Sequence, residues 1–171
     1  MKYDAAVIGL GAMGSAAAYQ LARRGLRTLG LEQFSPAHQL GSSGGLSRII
    51  RLAYFEHPAY VPMLRAAWVG WHELEAQTGR ELLLQTGGLY AGRRGSDVLE
   101  GSMRSAREHD LPHALLDAAD IARRFPALRL DTDMQALHEP LAGLLYPERC
   151  IQTHLDLARD AGVELRFGER V

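Results

Sequence analysis

Short apolar runs and one helical period alternate at the start of this chain. Tyr3–Ile8 is mostly apolar and ends on Gly9, which predicts a short buried strand. Ser15–Arg24 carries apolar residues at helical spacing and stops at Gly25, and Thr28–Leu31 is a second apolar run that closes on Glu32. Strand, glycine turn, helix and strand make a βαβ unit.

Beyond Glu32 the pattern changes. QFSPAHQLGSSGGLS, residues Gln33–Ser47, is rich in Pro, Gly and Ser and reads as a loop. After RIIRLAYFEHPAY the spacing predicts a long helix from Ala59 to Gln77, with Trp68, Trp71 and Leu74 on related faces. Pro62 is tolerated in its first turn and Gly79 ends it. ELLLQTGGLYAG predicts two short strands around Thr86, Gly87 and Gly88. Ser96–His109 is an amphipathic helix with Ser96 as its N-cap, and Ala118–Arg124 is a shorter one stopped before Pro126. MQALHEPLAGLLYPERC offers two strands around a turn, Ile151–Ala161 a helix and Val163–Phe167 a final strand.

The expected fold class is α/β: a Rossmann-like βαβ layer interleaved with the start of a mixed-sheet substrate domain. The expected boundaries are 1–80 for the dinucleotide-binding part, 81–145 for the substrate domain and 146–171 for the return to the first layer. The strand-like GVELRFGERV closes the chain on what would be an open sheet edge, so the sequence reads as the first part of a longer, two-domain protein.

The turn itself carries chemistry. Gly9, Gly11 and Gly14 form G-x-G-x-x-G between strand and helix. The first glycine permits the tight turn, the second lets a pyrophosphate approach the backbone, and the third allows helix to pack on strand. The helix N-terminus adds unpaired N–H groups and a partial positive charge, a dipole contribution of about 0.3–1 kcal/mol. Glu32 stands where a carboxylate accepts the ribose hydroxyls of an adenosine, and it would repel the 2′-phosphate of NADP. Leu10, Ala12 and Met13 share the turn and Gln33 follows Glu32, so all four are counted with the cofactor site. The turn alone leaves NAD and FAD open. An NAD-dependent dehydrogenase should run promptly into another helix and strand after Glu32, and the long loop opposes that. Interleaving of a cofactor layer with a substrate domain favours FAD.

Composition narrows the classes. The chain has 171 residues, 47% hydrophobic and 23% charged, with net charge −1. No basic excess suggests nucleic acid, and no polybasic run suggests a membrane surface. The apolar start is broken by glycines after Ile8, so neither a signal peptide nor a membrane span is expected. The single cysteine, Cys150, excludes an internal disulfide and fits the cytoplasm. It reads as a small buried residue at the start of a helix. His109 and His113 are four apart but Pro112 interrupts them, and the other histidines show no ligand spacing, so no metal is expected.

A second constellation is GSSGGLSRIIR, Gly41–Arg51. Ser42, Ser43 and the flanking glycines offer hydroxyls and close-approach N–H groups to phosphate or ribityl oxygens. Arg48 and Arg51 share a face if the segment is helical, and two guanidiniums in one cleft suit an anionic substrate. The plainer reading is a solvated loop with two surface arginines. Gly41–Gly45 also matches the G-x-S-x-G of hydrolases, but SPAHQL before it is not the buried strand that motif needs.

Together these stretches resemble the monomeric sarcosine oxidase family, which includes N-methyltryptophan oxidase and the pipecolate oxidases. The resemblance runs through YDAAVIGLGAMGSAAAYQLARRGLRTLGLEQF, GSSGGLSRIIRLAY, YVPMLRAAWVGWHELEAQTG, TGGLYAG and EPLAGLLYPERCI. It implies a two-domain FAD oxidase that converts secondary or N-methylated amino acids to imines and passes the electrons to O2, giving hydrogen peroxide. It further implies that Gly9, Gly11 and Gly14 cradle the pyrophosphate, that Glu32 holds the ribose and that Ser42 and Ser43 lie along the cofactor. By the same resemblance Val171 meets the adenine through its backbone, Arg48 lies near the flavin ring and Arg51 pairs with the substrate carboxylate. Sarcosine oxidases usually carry His where this chain has Gly44. The family's flavin-linking cysteine and oxygen-activating lysine belong to a C-terminal half that this chain lacks, so that half is an expected partner. A non-catalytic dinucleotide-binding module is the alternative from another class.

Overall fold

A computed structural model describes residues 2–171. Along the chain run β1 (Ala5–Ile8), α1 (Ala12–Arg23), β2 (Thr28–Glu32) and β3 (Arg48–Ile50). A 3-10 turn at Pro58–Tyr60 leads into α2 (Val61–Thr78), then β4 (Leu83–Leu84), β5 (Gly88–Arg93) and α3 (Asp97–Glu108). β6 (Ala114–Asp117), α4 (Ala118–Arg124), β7 (Met134–Glu139), β8 (Gly143–Leu145), α5 (Pro147–Asp160) and β9 (Glu164–Phe167) complete the order.

These elements form two compact units. One ends at Arg48 and resumes at Leu145–Val171; the other is Ile49–Leu144. The first division therefore falls at residue 48 and not at 80. The reason is packing: Leu64 and Trp68 of α2 lie against a core made by Leu52, Val61, Tyr90 and Leu137, all of the second unit. The second division falls between Leu144 and Leu145.

The first unit is a parallel sheet in the order β1–β2–β9. Ala5 pairs with Thr28 and Ile8 with Leu31, while Leu29 pairs with Glu164 and Glu32 with Phe167. Parallel neighbours need a crossover. α1 supplies the first, and the whole of the second unit plus α5 intervenes before β9 completes the sheet. α1 buries Ser15, Ala18 and Tyr19, and α5 buries Ile151, Leu155 and Ala158. Leu155 has no exposed surface, and burial of such a side chain contributes about 1.5–3 kcal/mol. β1 is covered on one face only: Ile8 is 67% exposed, where the apolar run suggested full burial. His154 sits in the same core, where burial pushes its imidazole down to about 4, so it is neutral at pH 7.

The second unit has an antiparallel sheet in the order β5–β7–β6, with Gly88 opposite Glu139 and Ala114 opposite His138. A short sheet has the order β3–β8–β4. The segments read as two strands around a turn are thus not paired hairpins: β4 and β5 lie in different sheets, as do β7 and β8. β3 and β6 carry no alternation and were not foreseen; their strand character comes from non-local partners. Asp117 caps α4 by accepting the Asp120 amide at 2.8 Å, whereas Ser96 stands at the N-cap of α3 without a capping bond from its side chain. α5 begins at Pro147, earlier than expected, so Cys150 lies inside the helix and is buried. Among the described residues no helix is long and apolar enough to cross a membrane, and no group of three His, Cys, Asp or Glu side chains is placed to hold a metal.

Gly14 fixes how α1 meets β1. A Cβ there would sit well inside contact distance of the Gly9 carbonyl and 3.3 Å from Cγ1 of Val7. Gly14→Ala is therefore expected to destabilise the chain by about 1–3 kcal/mol in urea unfolding, despite the helix propensity that alanine adds.

Candidate functional site

A cavity of about 690 Å3 opens in the first unit at the C-terminal ends of β1 and β2. That lies within the ordinary range for small-molecule sites, roughly 300–1,000 Å3. Gly9, Leu10, Gly11, Ala12, Met13 and Gly14 form one wall. Gly9 turns the chain at φ +84°, with its N–H donating to the Leu31 carbonyl at 2.8 Å. Gly11 is the N-cap of α1 at φ −68°, and a Cβ added there would meet nothing within 4 Å. Its bare face belongs to the cavity. No side chain caps α1 and its first turn holds no acidic residue, so the first-turn amides are left for an anion.

Glu32, Gln33, Ser42, Ser43 and Val171 also line the cavity. Glu32 is 6% exposed. Its Oε2 accepts the Leu10 amide at 2.8 Å, and its Oε1 accepts the Phe34 amide at 3.1 Å and lies 3.3 Å from Nε2 of His38. Burial works against the charged form, but the two amides and His38 outweigh it and hold the carboxyl below its ordinary range. A carboxylate offers about four acceptor positions. Three are engaged, which leaves one acceptor position on Oε2.

The loop that carries Ser42 and Ser43 is gathered by Arg48. Its guanidinium donates to the carbonyls of Ser42, Gly44 and Ser47 at 2.8, 2.6 and 2.7 Å. Gly44 packs against the Gln39 backbone, where a Cβ would collide with the carbonyl. The segment at Arg48 is a strand and not a helical turn, so the three-residue spacing to Arg51 does not put the two on one helical face. Arg51 belongs to the second unit. Its guanidinium carbon lies 4.6 Å from the Tyr54 ring centre and 5.3 Å from that of Phe55, and Nη2 is 3.3 Å from Oε1 of Glu56.

Sequence reasoning missed His38 and Phe34, whose rings meet edge-on at 4.8 Å, and Ile151 and Glu169 in the cavity wall. His38 sits in a loop without periodicity, and nothing in its spacing from Glu32 marks it.

The sequence model of the family described as FAD dependent oxidoreductase matches residues 4–171. The chain is 53% identical over 167 residues to monomeric sarcosine oxidase of Streptomyces avermitilis, covering 98% of this chain and 44% of that protein. It is 36% identical over 167 residues to N-methyl-L-tryptophan oxidase of Yersinia pestis, covering 98% of this chain and 45% of that one. Among solved structures, the open form of NikD, an amino acid oxidase essential for nikkomycin biosynthesis, superposes with a TM-score of 0.83 at 29% identity over 97% of this chain and 43% of its own. The chain thus spans less than half the length of these relatives.

Two outcomes follow from the cradle. Gly11→Ala keeps the unfolding midpoint of the parent chain, since its Cβ meets open space, but weakens dinucleotide binding, which calorimetry reads. Glu32→Gln leaves either the buried Leu10 amide or the half-buried Phe34 amide without an acceptor and lowers stability by about 1–3 kcal/mol. Because the folded-state pKa of Glu32 is depressed, its contribution is present above the unfolded value, near pH 4.3, and is lost as pH falls through the folded one. The urea midpoint of the Gln variant falls less steeply on acidification than that of the parent.

Proposed function

Because the chain belongs to the family of FAD dependent oxidoreductases, we propose that it forms the cofactor-binding, N-terminal part of an amine oxidase acting on N-methyl or secondary amino acids. The observation that carries this reading is the cavity in which the open face of Gly11, the uncapped start of α1 and the Glu32 carboxylate converge. These residues suit the ADP half of FAD: neutral amides for the diphosphate, a carboxylate for the sugar. Bound FAD would supply a two-electron acceptor: the amine would give up two electrons and two protons to leave as an imine, and O2 would take up the same two electrons and two protons as hydrogen peroxide.

The chain's own residues divide the remaining work. Gly9, Gly11 and Gly14 admit the diphosphate, Ser42 and Ser43 line its path, and Val171 and Gln33 border the adenosine. Arg48 acts through the serine loop whose carbonyls it gathers. Arg51, flanked by the Tyr54, Phe55 and Tyr90 rings, takes the carboxylate of the amino acid in a two-pronged ion pair and so orients the carbon that is oxidised. With Gly44 where sarcosine oxidases usually carry His, the substrate class is N-substituted amino acids and not sarcosine in particular. The rest of the enzyme, corresponding to the C-terminal part of the relatives, is the partner. The single cysteine supports a reducing compartment, the cytoplasm, as its location.

In the full-length holoenzyme, supplying N-methyl amino acids yields peroxide, and the visible spectrum shows flavin bands. Arg51→Lys raises KM by about tenfold or more, as a point charge replaces a bidentate fork, while the flavin bands persist. Unchanged kinetics would remove Arg51 from the site, and a spectrum without flavin would sink the FAD reading.

A further inference from the structure

Glu139 closes β7 with no exposed surface. Its Oε1 accepts the Leu52 amide at 2.8 Å, and its Oε2 accepts the Ala53 amide at 3.1 Å together with the hydroxyl of Tyr90. Leu52, Ala53, Tyr90 and Leu137 belong to one apolar cluster, a setting in which a buried carboxylate is unfavourable unless donors satisfy it.

What the carboxylate does hold is the ground under Arg51. The two amides it accepts are the first two after Arg51 in the chain, and the Tyr90 ring centre lies 5.8 Å from the Arg51 guanidinium carbon. The next residues are held from α3: Ser105 donates its hydroxyl to the Tyr54 carbonyl, and the bare Gly101 admits the Phe55 carbonyl where a Cβ would clash. The backbone from 52 to 55 is thus held on both sides, and it carries the Tyr54 and Phe55 rings that flank Arg51. Burial, then the charge and hydrogen bond of Glu139, push the Tyr90 hydroxyl well above its ordinary pKa, so it stays a donor.

We propose that Glu139 is a positioning residue for Arg51: by holding the Leu52 and Ala53 amides and the Tyr90 hydroxyl, it sets the direction in which the guanidinium meets a substrate carboxylate. The proposal rests on the reading of Arg51 given above. It predicts a defect confined to recognition of the carboxylate.

The test compares two substrates in the full-length holoenzyme, an N-methyl amino acid and the same secondary amine without its carboxylate. The ratio of their kcat/KM values measures what Arg51 contributes. Tyr90→Phe removes one donor and leaves both amide bonds, and Glu139→Gln disturbs all three. The ratio is expected to fall about tenfold in Glu139→Gln through KM, the scale of one charge-assisted bond, and by a smaller factor in Tyr90→Phe. Variants that slow both substrates by the same factor, or change only the melting temperature, assign Glu139 to packing and overturn the proposal. If Glu139→Gln does not fold, Tyr90→Phe decides alone by the same ratio. A parent enzyme that shows no preference for the carboxylated substrate overturns the reading of Arg51, and the proposal with it.

Discussion

The Leu10 amide donating to the Glu32 carboxylate ties the glycine turn after β1 to the end of β2. With the Gly9 amide on the Leu31 carbonyl, that bond sets the distance between the turn and the end of β2, and so the shape of the cavity there. The interaction is strong because it is charge-assisted and nearly dry, and because the Phe34 amide accompanies it. The same device recurs in the second unit. Glu75 accepts the Leu82 and Leu83 amides on a single oxygen at 2.8 and 2.9 Å, and Glu139 accepts those of Leu52 and Ala53. Each glutamate holds backbone at or within a few residues of the end of a strand. An orphaned N–H in those places is more costly than a well-solvated one, and a carboxylate with several lone pairs can serve two at once.

The three glycines of the turn show how one motif divides into separate physical tasks. Gly9 adopts a left-handed φ, Gly14 lets α1 touch a carbonyl, and Gly11 faces open space. Two of them serve the fold, and the third serves whatever occupies the cavity. Stability and binding therefore respond to different glycines, although the sequence motif presents them as equals.

Local order was legible where its cause is local. The period of α1, the Gly79 stop of α2 at φ +67° and the extent of α4 follow from side chains within a turn or two of one another. β3 and β6 were missed because three or four residues without alternation become strands only when a distant neighbour offers a ladder. The division between the units at Arg48 was misplaced for a similar reason, since the partners of Leu64 and Trp68 are not their chain neighbours.

The sequence by itself determined that a βαβ turn would end on a carboxylate, because turn, helix and acidic residue are set by spacing along one continuous segment. It also determined the family, through stretches whose residue types agree together. Only the tertiary structure decided that His38 shares that carboxylate, that Arg48 gathers the serine loop, and that Glu139 lies beneath Arg51. Those contacts join residues through folding and not through periodicity: 87 positions separate Leu52 from Glu139, and no pattern in the chain records a hydrogen bond across that distance.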